Sequence, residues 1–558
     1  MTVEVCIFHV IAILASITIA SSTWTNFDLV RPRAGAWGSH GQTSFIKYNS
    51  KRSGFNISEG AKFGTSVANI GDLDKDGVDD IAVGAVGENI YRYNRSTIIS
   101  TGGLYIIFLK KDGSTKSVTH IGSQENGGPL LIAGDQFGYS VDAAGDLDGD
   151  SVLDIIVGAP GYSTSSVYIL FMNTNGSVKK SKLIRGRIIG AILGANVMNG
   201  PPIHFGSRFG TAVANIGDLN KDGIQDFAVS ALDISSGFCQ VFVLFLNRNG
   251  TVQNYSTIDS YGRGGGPNIA QDFPGFGSSL VALADMNNDN INDLAIGAKD
   301  ITEPGSRNTN AGAVYICFMK KDGTIKSFSR ISELSGKPKY ILPWVPYDEC
   351  GQALANIGDI NLDPMKQRHP TQLRRPYRAA VDDLVVGCPQ GGQGTLPGRL
   401  FFIYLTSLGF LNGYTVLPAA TDGSVGPALR QLDLFGSALG AYSDVDGNGL
   451  KEILVGAPGD DESGLDSGAV YLLFPRRRRY HPPTFDEVRF VLLIFFPSLC
   501  CCGLMAGATA FCLHRYRRLP DPIEKIVIEA GLEISPVRSR KVYVQSAPPD
   551  DRCHEYTD

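Results

Sequence analysis

The sequence predicts an all-β fold, a β-propeller of six blades closed by a strand from its N-terminal side, followed by one C-terminal transmembrane helix. Three observations carry this. A unit of roughly 70 residues recurs six times, starting at Phe63, Phe137, Phe209, Phe276, Cys350 and Phe435. Each of the first five copies holds the parts of a four-stranded blade, with an acidic loop after its first strand and a Gly-containing turn before its fourth. The last copy stops after three strands, and a spare strand precedes the first. The 66 Gly among 558 residues, without a collagen triplet and with only 28 Pro, fit a turn-rich β-protein.

The first copy reads Phe63-Gly64, an apolar strand, the loop from Asp72 to Asp80, a strand ending Gly84-Ala85, and the strand GLYIIF to Phe108. A turn follows at Asp112-Gly113, then the strand Lys116 to Ile121. Asn175-Gly176, Asn249-Gly250 and Asp322-Gly323 repeat that turn as predicted two-residue hairpins, and Leu408-Gly409 replaces it in the fifth copy. In the sixth copy Pro475 and Arg476 to Arg479 stand where the hairpin belongs. The segment Thr43 to Ser50 supplies the missing fourth strand, so the ring closes without free edges. Seven blades with one unrecognisable copy is the alternative count.

The acidic loops carry the chemistry. Oxygen donors at alternate positions of a tight turn converge on one point, and hard donors at that spacing suit Ca²⁺. The ligand sets are Asp72, Asp74, Asp76, the Val78 carbonyl and Asp80; Asp146, Asp148, Asp150, Val152 and Asp154; Asp218, Asn220, Asp222, Ile224 and Asp226; Asp285, Asn287, Asp289, Ile291 and Asp293; and Asp444, Asp446, Asn448, Leu450 and Glu452. An EF-hand would need Glu at position twelve, where the first copy has Val83, so these are β-hairpin calcium loops. In the fifth copy an insert parts Asp359, Asn361 and Asp363 from Asp383, and that loop is not counted as a site. Cys350 and Cys388 end the two strands flanking it and are expected to form a disulfide. Cys239 and Cys317 lie in apolar strands and read as buried thiols.

Two apolar segments set the compartment. Val5 to Ala20, followed by small residues, reads as a signal peptide over 1–22, although Glu4 replaces the basic start; an uncleaved anchor is the alternative. Residues 23–474 are the propeller and 475–489 a short linker. Residues 490–513, Phe490 to Leu513, are uncharged and long enough to span a bilayer, and Arg515, Arg517 and Arg518 follow, placing the tail 514–558 in the cytoplasm. The expected state is a type I plasma-membrane protein with the propeller outside. Sequons at Asn56, Asn94, Asn175, Asn249 and Asn254 agree with a secretory route. Arg476 to Arg479 fit either a basic-protease site or a plain boundary. The basic insert, with Lys366, Arg368, Arg374, Arg375 and Arg378, reads as a solvated loop. A net charge of −5 speaks against a nucleic-acid partner.

The Phe-Gly pair, the DxDxDG-type loop and the Gly-Ala-Pro ending resemble the FG-GAP repeats of integrin alpha-subunit propellers, over Thr43 to Phe474. The resemblance implies calcium loops that stiffen one face while loops of the opposite face recognise an extracellular protein or matrix ligand. It does not extend to the tail, where HRYRRLP from His514 stands in place of GFFKR, nor to a DxSxS inserted domain. The short linker makes the plan similar to leg-less, single-pass FG-GAP proteins such as the T-cell immunomodulatory type. The expected function is cell-surface adhesion or receptor binding. A subunit that binds another membrane protein is the alternative. An extracellular hydrolase comes third, because neither GxSxG nor HExxH occurs.

Overall fold

The structure, a computed structural model, describes residues 27–29 and 45–477, apart from 92–97, 162–164, 189–199, 205, 234–236, 270–274, 303–307, 336–341, 361–380, 391–396 and 418–426. The signal peptide, the Phe490–Leu513 segment, the tail, Asn94 and the basic insert with Asn361 and Asp363 lie outside these residues. Among the described residues no helix is long and apolar enough to cross a membrane. Trp24–Arg479 forms one compact unit.

Six four-stranded antiparallel sheets follow one another along the chain. Blade one pairs Phe63–Gly71, Asp80–Ala85, Gly103–Leu109 and Thr115–Ile121 in that order, and blades two to five repeat it. Blade six contributes Ala438–Ala441, Ile453–Ala457 and Ala469–Leu473, and its fourth strand is Phe45–Tyr48. The closing strand is locked by charge as well as by its ladder. Lys47, almost buried, lies 2.6 Å from both Asp460 and Glu462, and Arg52 also pairs with Glu462 at 3.0 Å. Beyond the blade, Pro475–Arg477 does not simply break off. It pairs antiparallel with Phe27–Leu29, a ribbon with no periodic signal in the sequence.

The second and third strands of each blade are buried along their whole length, apart from Arg399 at the start of the third strand of blade five, because sheets cover them on both sides. Apolar side chains fill the space between each neighbouring pair of blades, including six against one, where Val67 and Ile81 meet Leu454 and Leu472. The ring is therefore closed at six. The repeated motif explains how blades approach so closely. A Cβ on Gly84 would collide with the carbonyl oxygen of Gly138, the Gly of the next Phe-Gly pair, and Gly158 meets Gly210 in the same way. Around the axis the first strands line a channel of about 430 Å³.

The third-to-fourth turns differ from the two-residue form expected. Gly113 N donates to Lys110 O at 2.8 Å and Lys110 N to Ser114 O at 2.9 Å, with Gly113 at φ 73° and a register shift after Phe108. This is a β-turn closed by a Gly bulge, and the same Asp-Gly signal serves both forms. The bulge twists the tip onto the neighbouring blade, where Gly113 faces Ile46 and Leu472.

In blade five Cys350 takes the place of the Phe and Cys388 that of the Ala which face each other across the strands elsewhere, as Phe63 faces Ala85. The two cysteines form a disulfide with both residues buried. The lost aromatic volume is restored from another position. Six residues ahead of the motif stand Ile57, Leu131, Ile203 and Leu429 in other blades, but Trp344 here, edge-on to Phe401 at 6.0 Å.

Candidate metal centres

Each acidic loop joins the first two strands of a blade, so all open at one end of the ring. Backbone N–H groups fix the carboxylates. Asp76 N donates to Asp72 Oδ1 at 2.9 Å and Gly77 N to Asp72 Oδ2 at 2.8 Å, while Val78 N donates to Asp76 Oδ1 at 3.0 Å. The same three bonds recur at Asp146 and Asp150, Asp218 and Asp222, Asp285 and Asp289, and Asp444 and Asn448. They require a left-handed sixth residue, which is Gly77, Gly223 or Gly449, but also Asn290 at φ 62° and Ser151 at φ 66°.

The ninth position does more than the sequence reading assigned it. Asp80 accepts from Leu73 N in the loop and from Leu109 N on the third strand, both at 3.1 Å, so one carboxylate ties loop, second strand and third strand together. Asp154 and Asp293 repeat this. Asp383 does so too, accepting from Ile360 and Leu405, although its loop carries the insert and was set aside as a metal site. That pin is therefore present even in the loop not counted as a metal site. Burial pushes the carboxyls of Asp80, Asp154, Asp226 and Asp293 up to about 7 and Glu452 up to about 8.

Carboxylate oxygens of Asp72, Asp74 and Asp80 lie within 4.8 Å of one another, as do those of Asp146, Asp148 and Asp154, and of Asp444, Asp446 and Glu452. Ligands at about 2.3–2.6 Å from a common Ca²⁺ stand about this far apart. The buried Asp74 Oδ1 has no hydrogen-bond partner, an oxygen a cation would satisfy. The donor set fits a hard divalent ion. Among the described residues, the loops with Asn220 and Asn287 do not bring three carboxylates together in this way.

Four stretches, residues 63–99, 137–170, 276–317 and 435–473, match the profile described as FG-GAP repeat. Integrin alpha-PS5 of Drosophila melanogaster is 31% identical over 246 residues, 42% of this chain and 21% of that protein. Integrin alpha-V of Gallus gallus is 28% identical over 272 residues, 48% of this chain and 21% of its own length. The chain carries an integrin alpha-like FG-GAP β-propeller. Its alignment spans about a fifth of the length of these relatives.

Within the FG-GAP propeller, blades three and five fall outside the matched stretches; blade three has Ser230 in place of the inter-blade Gly, and blade five keeps Gly387. Of the sequons, Asn56, Asn175, Asn249 and Asn254 are exposed. Cys239 and Cys317 are buried free thiols. The sequence reading missed the other mouth of the channel, a cavity of about 390 Å³ lined by Tyr139, Arg208, Lys299, Asp300 and Glu349. Arg208 lies 5.0 Å over the Tyr139 ring, and Lys299 lies 2.9 Å from Asp300 and 3.2 Å from Glu349. The residue before each motif pair takes a positive φ although its type varies, as Lys62, Gln136, Arg208, Gly275, Glu349 and Leu434. That variation at a fixed place in the repeat was the available signal.

Proposed function

We propose that this chain is a cell-surface adhesion or receptor protein whose propeller, stiffened by Ca²⁺ in five loops, binds an extracellular protein or matrix ligand. The observation that carries the reading is the set of acidic loops in one register at one end of an integrin alpha-like ring. Ions there tie first and second strands together, and the opposite end, with its polar mouth, is left for recognition. In this reading Phe490 to Leu513 anchors the chain in the plasma membrane in a leg-less, single-pass form, the sequons Asn56, Asn94, Asn175, Asn249 and Asn254 carry glycans, and the chain has no catalytic role.

The test is adhesion of cells displaying the intact chain to matrix-coated and cell-coated surfaces, with Ca²⁺ and then with chelator. Chelator-reversible adhesion is expected. A folded, glycosylated surface protein that adheres to neither coating would overturn the receptor reading in favour of a subunit bound to another membrane protein, which co-purification would then identify.

A further inference from the structure

Among the described residues, three metal loops have a fourth-strand lysine ion-paired at their edge, and two do not. In blades one, two and four, the residue after the bulged pair that opens the fourth strand is Lys116, Lys179 or Lys326. Lys116 Nζ lies 2.7 Å from Asp74 and also bonds Asp76. Lys179 lies 3.2 Å from Asp148 and 2.6 Å from Asp150, and Lys326 lies 3.1 Å from Asp289. In blade three the same register position, after Val252, is Gln253. There the Asn220 amide donates to Asp222 at 2.9 Å. Blade six receives its fourth strand from Phe45–Tyr48, with no hairpin to carry such a residue, and Asn448 turns its amide to the Pro475 carbonyl at 2.9 Å.

Over the side-chain ligand positions, loops one and two have four carboxylates, two of them paired to the fourth-strand lysine. Loop four has three, one of them paired to Lys326. Loops three and six have three and no fourth-strand lysine among the described residues, while Lys75, Lys221 and Lys451 stand at non-ligand positions within loops one, three and six.

We propose that Lys116, Lys179 and Lys326 are tethered counter-ions, which hold the fifth-position carboxylate of their loops, and in loops one and two the third-position one as well, until a divalent cation displaces them. The proposal rests on the reading of these loops as cation sites. Lys116 holds Asp74 by Oδ2 and leaves Oδ1 for the cation, but an ammonium this close to the site repels a divalent ion, so filling weakens or breaks the ion pairs. Loops three and six break none and fill first. Loop four, with one carboxylate fewer than loops one and two and a lysine to displace, fills last. The same contacts keep the metal-free loops from repelling themselves open, so the three blades tolerate low calcium better than their carboxylate count suggests.

The experiment is a calorimetric Ca²⁺ titration of the full-length chain at fixed ionic strength, beside a K116Q/K179Q/K326Q variant, the matching Lys→Arg variant and K75Q. The wild type is expected to show a tight and a weak class of sites. The Gln variant should tighten the weak class by about fivefold, the scale of one or two exposed ion pairs, and the Arg variant should keep it weak. K75Q deletes a charge from the same loop but neither contact to Asp74 and Asp76, and should change affinity less than twofold. A thermal readout separates contact from unfolding: the Gln variant should melt lower than wild type without calcium and gain more on saturation. An unchanged weak class in the Gln variant, or an equal gain in K75Q, overturns the proposal. Absence of Ca²⁺ uptake by wild type and variants alike overturns the cation reading itself.

Discussion

Replacing both Cys350 and Cys388 by Ala tests whether blade five depends on its cross-link or on its packing. The bond joins residues 38 apart in sequence. Closing a loop of that length in the unfolded chain costs about 4 kcal/mol at 25 °C on the chain-entropy estimate. The propeller of roughly 430 residues unfolds with an entropy near 0.9 kcal/mol/K at about 2.1 cal/mol/K per residue, so the midpoint should fall by about 4 °C. Scanning calorimetry of the purified chain in saturating Ca²⁺ is the assay. Trp344 remains in place, still edge-on to Phe401, so the blade is expected to keep its sheet. A shift below 1 °C would refute the loop-entropy reasoning. It would mean that the denatured state holds blade five together by other means, or that Trp344 packing alone sets its stability. A companion Trp344→Ala variant, expected to cost about 3–5 kcal/mol through the cavity it leaves, distinguishes these.

Metal-free protein should be more stable at pH 5.5 than at pH 8, measured by thermal melting after exhaustive chelation. Asp80, Asp154, Asp226 and Asp293 have their folded values raised to about 7 and Glu452 to about 8, so their contribution is present below the unfolded carboxylate range and is lost as pH rises through 7–8. Saturating Ca²⁺ should reverse that slope. Lys47→Ala strips the nearly buried Asp460 of its cation and should cost about 3–5 kcal/mol, read as faster hydrogen exchange in Phe45–Tyr48. Glu462, whose value is lowered to about 2 despite its burial by the bonds from Lys47 and Arg52, should support that latch above about pH 4.5 and release it as pH falls toward 2. Gly84→Ala should cost about 1–3 kcal/mol or more, because its methyl meets the Gly138 carbonyl, and calorimetry would show it.

Blade number and ring closure were legible because they depend on period and on which strand is missing, both properties of order along the chain. Thr43 to Ser50 could be placed beside Ala469–Leu473 without any knowledge of contacts. The disulfide was legible because Cys350 and Cys388 end strands that must be neighbours in a hairpin. The Gly bulge was not, since Asp112-Gly113 satisfies two turn geometries that differ only in where the chain bends. The pinning role of Asp383 was hidden by the insert: ligand spacing along the chain is broken there, while the hydrogen bonds from Ile360 and Leu405 depend only on strand pairing. The lysines at the loops were illegible for the same reason. Lys116 is far from Asp74 in sequence and reaches it only when the fourth strand folds back past the second. The channel mouth, with Arg208 and Lys299, assembles single residues from several blades, and no window of sequence contains it.

The closing strand also makes the time order of synthesis matter. Phe45–Tyr48 leaves the ribosome before any blade exists, yet its partner Ala469–Leu473 is among the last parts of the ring to emerge. Blades one to five can each form from adjacent sequence, whereas the circle waits on a pairing of very high contact order. Until then Ala469–Leu473 has a bare edge, and the N-terminal strand is an unpaired ribbon free to join another chain's sixth blade. The ring is thus assembled as an open arc and shut in one late step. A permuted chain carrying residues 45–50 directly after Phe474 would make every blade local and remove that step.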